Sequence, residues 1–278
     1  MRTDFLINGY IAYSDNLNKK INLCTNSIAN YTMNAPSLLD FTLHLADTTL
    51  ILAQRNAEWC AHGPILEQDI AITNISLDLI GQSRNFYKYA ATLIGGDVDE
   101  DTLAYLRTER EFKNLLLVEL PNGDWAQTIL RQYLFSGFQY LLYEKLQQGN
   151  DVQLAAIAAK AIKEVTYHVR WSSEWVIRLG DGTNESHSRM LKATDELWPY
   201  SGEMFVPAEY ETAAGINVSI LKRDWLKKVK AVFEEATLPV PEKTFWQAGG
   251  KQGTHTEHMG FILADLQYLQ RTYPGAKW

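Results

Sequence analysis

Four long stretches between Leu38 and Leu179 bring apolar residues back to one helical face, with almost nothing alternating as a strand does. The first begins at Pro36-Ser37-Leu38-Leu39-Asp40, with Ser37 as N-cap and Asp40 three residues on. Leu38, Phe41, Leu45, Leu52 and Trp59 then recur on one side until His62-Gly63-Pro64. The second runs from about Ile65 to Ile94 and stops at Gly95-Gly96; some 30 residues of helix span roughly 45 Å. After the turn Pro121-Asn122-Gly123-Asp124 a third fills Trp125–Gln148, and a fourth fills Asp151–Leu179 before Gly180-Asp181-Gly182. A shorter helical stretch is predicted over Asp101–Leu117. Further helices are predicted over Ser186–Phe205, over Val218–Thr237, and from about Thr254 to before Pro274.

Four long amphipathic helices with one longer connection, between the second and the third, predict an all-α fold: a ferritin-like four-helix bundle with additional C-terminal helices. No self-similarity at 30 to 50 residues supports a solenoid. Residues 35–278 read as this domain. Residues 1–34 hold seven asparagines and no sustained helical period, and read as an extension, poorly ordered or loosely docked; a short helix or strand around Phe5–Tyr13 is the alternative. The net charge of −7 argues against binding nucleic acid through phosphate neutralisation. Cys24 and Cys60 have no metal-type spacing, no apolar run reaches the roughly 20 residues of a membrane span, and Met1-Arg2-Thr3-Asp4 opens no secretory signal. A cytoplasmic protein is expected.

A di-iron bundle needs a Glu from each of two helices and a Glu-x-x-His from each of the other two, because two close iron ions require about four carboxylates and imidazoles to complete the shell. None of the six histidines has an acid three residues before it. A four-residue spacing does occur, in Asp40/His44, Glu58/His62 and Glu164/His168, and positions i and i+4 also share a helix face. His62 reads as capping a helix end, so Glu164/His168 is the pair at core depth. Asp78 is the mid-helix acid of the second helix, and the third has no acid from Trp125 to Tyr143. Glu58, Asp78, Glu164 and His168 are therefore all that remains of a ligand set, too few for two irons. A mononuclear metal on these four is one alternative; pairing of the acids with Arg84, Arg131 or Lys163 is the other. His255 and His258 share a face but read as solvated residues beside a capping Thr254 or Thr256. Glu111-Phe112-Lys113-Asn114, in the long connection, combines a base with an aromatic and suits a ligand or partner contact as well as a solvent-facing connector.

The stretches Leu52–His62, Leu77–Phe86, Asp101–Ala104, Asn114–Glu119, Ala161–His168 and Gly253–Gly260 resemble the C-subunit family of bacterial phenylacetyl-CoA ring epoxidases, a likeness running from about Leu38 to Trp278. The resemblance implies a ferritin-like fold in a multisubunit, oxygen- and NADPH-dependent monooxygenase of aerobic phenylacetate catabolism. In that family the di-iron site lies on a homologous A subunit, which forms a tight heterodimer with the C-type chain. A small B subunit and a flavin and iron–sulfur reductase complete the system. Carried over, Glu58, Asp78, Glu164 and His168 are remnant positions, Ser136 falls where relatives often have an acid, and Glu111–Asn114 becomes a candidate substrate or partner contact. A non-catalytic subunit is expected, without catalytic, cofactor or metal residues of its own; the alternative is an autonomous oxygenase using the four remnant residues.

Overall fold

The computed structural model describes residues 38–242 and 246–276. The extension 1–34, Cys24 and the N-cap Ser37 lie outside them. The helices are α1 (Leu38–Ala57), α2 (Leu66–Ile94), α3 (Glu100–Tyr105), α4 (Leu116–Glu119), α5 (Trp125–Leu146), α6 (Val152–Gly180), α7 (Asn184–Ser201), α8 (Glu209–Ala213), α9 (Leu221–Glu235), α10 (His258–Leu266) and α11 (Tyr268–Thr272). Among the described residues there is no strand.

The bundle consists of α1 against α2 and α5 against α6, with α2 meeting α6 across it; α7 and α9 cover α5. Local chemistry sets its ends. The carboxylates of Asp124 and Asp151 accept the backbone N–H groups of Gln127 and Leu154, satisfying orphan donors at the starts of α5 and α6. Gly95, at φ 78°, ends α2 in a conformation that side chains with a Cβ resist. Helix α1 is almost wholly buried, with His44, Asp47, three threonines and Asn56 among its buried residues, because α4, α8 and α10 pack on it in addition to α2.

Three boundaries differ from the sequence reading. Helix α1 stops at Ala57, before the expected His62-Gly63-Pro64: Trp59 turns toward α5, its indole N–H donating to Thr128 Oγ1 at 2.8 Å, and Ala61 adopts φ 67°. The single helix expected over Asp101–Leu117 is three short pieces. Arg107 leaves the helical path for the interior, and the Glu111 carboxylate accepts from Thr108 N at 2.6 Å, closing a tight turn instead. The last helix begins at His258, not near Thr254, because Gly253 takes φ 77° directly against the connector: a Cβ there would lie 2.2 Å from the Arg110 carbonyl oxygen.

Candidate functional site

The structure brings three of the four remnant residues together. His168 is fully buried on α6, and its Nε2 lies 3.0 Å from Asp78 Oδ2 on α2. Glu164, one turn earlier, accepts from Gln82 Nε2 at 2.9 Å, and Asp78, Gln82 and Glu164 line a cleft of about 280 Å³ between α2 and α6. Glu58 is elsewhere. It follows the end of α1, is 38% exposed, and binds Arg55 Nη1 at 3.0 Å and Asn122 Nδ2 at 2.8 Å. The expectation of Glu58 at core depth is thus corrected by the early end of α1.

Within the largely apolar interior between the four helices, the side chains of Asn56, Gln82, Gln132, Ser136, Gln139 and Tyr143 are polar and uncharged. Asn56 Nδ2 donates to Gln132 Oε1 and Gln132 Nε2 to Ser136 Oγ, both at 2.7 Å. Gln139 Nε2 donates at 3.0 Å to Gln82 Oε1 and to the Tyr143 oxygen, and the Tyr143 hydroxyl donates to Gln82 Oε1 at 3.3 Å. Burial pushes the Tyr143 phenol well above its ordinary range, so it keeps its proton. Most of these groups bond one another and Gln82 also donates to Glu164, while Asn56 Oδ1 and Gln139 Oε1 are buried without a partner. Anionic ligands, by contrast, repel one another until a metal sits between them. Among the described residues no three His, Cys, Asp or Glu side chains converge where an ion could sit. This donor set does not fit a di-iron centre.

The charge pairing envisaged as its substitute is also different. Arg84 is exposed and pairs with Glu100, and Lys163 is exposed. The buried Arg131 turns to the loop before α5, donating to the Leu120 carbonyl at 2.6 Å and to Asn122 Oδ1. None of the three meets Asp78 or Glu164 in a salt bridge among the described residues.

The buried charges lie instead along a seam joining α1, the 107–119 connector and the C-terminal loops, which sequence reasoning missed. Asp47 accepts from Arg107, from the Tyr87 hydroxyl at 2.6 Å and from Lys113 N at 2.8 Å. Glu119 takes Asn114 Nδ2 at 2.8 Å, His255 Nδ1 at 2.7 Å and Thr256 N at 2.6 Å. Glu203 takes the N–H groups of Leu116, Gly249 and Gly250 at 2.7 to 2.8 Å. Glu211 holds Lys251 Nζ at 2.8 Å and accepts from Ala208 N at 2.7 Å. His255 is therefore not solvated as expected; its ring is fully buried.

Glu111–Asn114 is part of this seam. Phe112 is fully buried with the Arg107 guanidinium 4.2 Å from its ring centre, and Asn114 is fully buried on Glu119. Neither can touch a ligand from outside. Glu111 and Lys113 are half-buried, Glu111 closing the Thr108 turn and Lys113 lying 3.8 Å from Asp40.

Two seam histidines carry opposite pH dependence. His44 donates from Nδ1 to the Lys113 carbonyl oxygen at 2.6 Å, and burial, with the charge of Lys251 adding to it, lowers it from 6.5 to about 3. Below pH 6.5 the unfolded chain therefore takes up a proton that the folded chain refuses, and stability falls as pH falls toward about 3. For His255, burial pulls the pKa down, but the bond to Glu119 and its charge outweigh it and the net shift is upward. Its contribution is complete below the ordinary histidine range and is lost as pH rises through its raised value. We expect His44→Gln to remove up to about 1.4 kcal/mol per pH unit from the acid-side slope of urea-unfolding stability. An unchanged slope from pH 7 to pH 4 would refute the assignment.

Residues 24–278 match the family described as phenylacetic acid catabolic protein. The chain is also 50% identical over 246 residues to the C subunit of 1,2-phenylacetyl-CoA epoxidase from Escherichia coli strain K12, an alignment covering 87% of this chain and 99% of that protein.

Proposed function

From the premise that the chain belongs to the phenylacetic acid catabolic protein family, we propose that it is the non-catalytic structural subunit of a phenylacetyl-CoA epoxidase, folded to pair with a homologous di-iron subunit. The observation that carries the reading is the neutral lattice of Asn56, Gln82, Gln132, Ser136, Gln139 and Tyr143 between the four helices. A di-iron bundle needs about four carboxylates in this place, and these six side chains supply none. The partner then carries the iron and the oxygen chemistry on the ring of phenylacetyl-CoA. A small third subunit and a flavin and iron–sulfur reductase drawing on NADPH complete a cytoplasmic assembly. No helix among the described residues is long and apolar enough to cross a membrane.

The surface supplies a face for the partner. Leu66, Ile70, Leu77 and Ile80 are 42 to 71% exposed and fall within one side of α2, since residues advance about 100° each around a helix. Tyr167 of α6 is exposed as well, next to His168 and three residues from Glu164 at the α2–α6 cleft. An apolar band of this length on a surface helix suits a large interface of the obligate kind.

The alternative, an autonomous oxygenase on Glu58, Asp78, Glu164 and His168, must gather groups that now lie at two places. Co-purification with the partner followed by iron analysis of each separated subunit distinguishes the two. We expect iron with the partner, far below one equivalent on this chain, and no epoxidation by this chain alone. Near-stoichiometric iron on the isolated chain, with turnover, would overturn the structural role.

A further inference from the structure

The large apolar residues that α2 leaves exposed, Leu66, Ile70, Leu77 and Ile80, lie in one narrow strip. Thr73 fills the place between the second and the third, and Arg84 follows the last. The intervals 66, 70, 73, 77, 80 and 84 alternate four and three, the spacing of a seam between two helices. With residues advancing about 100° each, the six positions fall inside a sector of about 80° and run about 27 Å along the axis. A helix facing a globular core carries a stripe about 100° wide or more; a narrower one is the seam of a helix against another helix.

The flank of the strip is different in kind. Glu67, Asn74 and Gly81, each one place along from a seam residue, are exposed and carry no apolar side chain. Gly81 adds a second observation. Glycine inside a helix is destabilising relative to alanine, yet no atom lies within 4 Å of where its Cβ would be. Packing within the chain therefore does not require a glycine there. A second backbone drawn close to α2 does.

We propose that the partner subunit lays a single long amphipathic helix along this strip, crossing α2 at a shallow angle of about 20° and coming nearest to it at Gly81. Its apolar residues, at the same alternating spacing, fill the gaps between Leu66, Ile70, Leu77 and Ile80. A carboxylate faces Arg84, whose guanidinium keeps donors beyond the one given to Glu100. The proposal rests on the subunit role argued above and deepens it, by naming the kind of element that the α2 face receives.

Photocrosslinking in the purified heteromer tests it. Replacing Ile70, Leu77 and Arg84 in turn by a photoreactive benzoyl-phenylalanine marks the partner at points about 10 Å apart along α2. On a helix the three crosslinks should fall in one continuous segment of the partner, in order and about seven residues apart. An extended segment would place them about three residues apart, and a surface of loops would scatter them over unconnected segments; either result overturns the proposal. The same label at Glu67 and Asn74, one place to the side, reads the same spacing where its bulk on the strip blocks assembly. A heteromer that forms but gives no crosslink from any of these positions would overturn the helix contact and leave the subunit role standing. Failure of the unsubstituted chain to form a heteromer would remove the subunit role and the proposal together.

Discussion

Lys251→Met should destabilise the fold by about 3–5 kcal/mol, because it leaves the Glu211 carboxylate fully buried without its cation. Burial pulls the Lys251 ammonium below its usual range, and the Glu211 charge opposes that pull. Removing the lysine also strips a donor from the Val206 carbonyl, 2.9 Å away. The double variant Lys251→Met/Glu211→Gln should recover most of the loss, since an uncharged amide still accepts from Ala208 N. A further signature involves His44, whose Nε2 lies 3.8 Å from Glu211. With Lys251 gone, one cause lowering His44 is removed while burial, the larger one, stays, so its folded value rises part of the way. The defect should then shrink as pH falls on the acid side of the ordinary histidine range, where the Glu211 carboxylate can also take up a proton. Urea unfolding at pH 5 and pH 8 reads both effects. A single-variant loss under 1 kcal/mol at pH 8 would contradict the seam as described.

The second large effect concerns association rather than folding. Leu77 and Ile70 are 59% and 51% exposed, so Leu77→Asp and Ile70→Asp should leave unfolding stability within about 0.5 kcal/mol of the parent. If α2 supplies the partner face, either change places a carboxylate in a desolvated apolar contact and should weaken the heteromer by about thirtyfold or more, the hot-spot range of roughly 2 kcal/mol. Val152→Asp, at an 83% exposed position opening α6, serves as the control and should bind the partner normally. Equal partner affinity for Leu77→Asp and the control, measured by gel filtration or calorimetry, would remove α2 from the interface.

The helical fold was largely legible because its signals are local. Asp124 in its turn, Gly95 as a stop and the apolar faces of four helices all act within a few residues. His168 was legible as a buried mid-helix residue, but its partner was not: the four-residue spacing pointed to Glu164, whereas the structure gives it Asp78 of α2. What failed was set by distant contacts. Glu58 was assigned core depth from a helix that Trp59 in fact ends by reaching to Thr128. The connector was read as one helix, but Asp47, sixty residues earlier, draws Arg107 out of it. Glu119 offered one usable hint: an acid inside Leu115-Leu116-Leu117-Val118-Glu119-Leu120 is bracketed by apolar residues and so must be buried and bonded. Glu203 and Lys251 gave no comparable local sign, because their partners lie about forty residues away or more.

The seam also has a bearing on synthesis. Its acids are made early and the groups that quench them late: Glu119 awaits His255 and Thr256, Glu203 awaits Gly249 and Gly250, and Glu211 awaits Lys251. A nascent chain that has emerged only as far as α9 cannot bury these carboxylates without stranding them, so they stay hydrated and the faces beside them stay open. Closure of the connector and α8 against the 249–256 loop is thereby deferred until that loop has left the ribosome, while α1 can already meet the connector through Asp47, Arg107 and Lys113. The seam thus shuts in two stages, its early half before its late one.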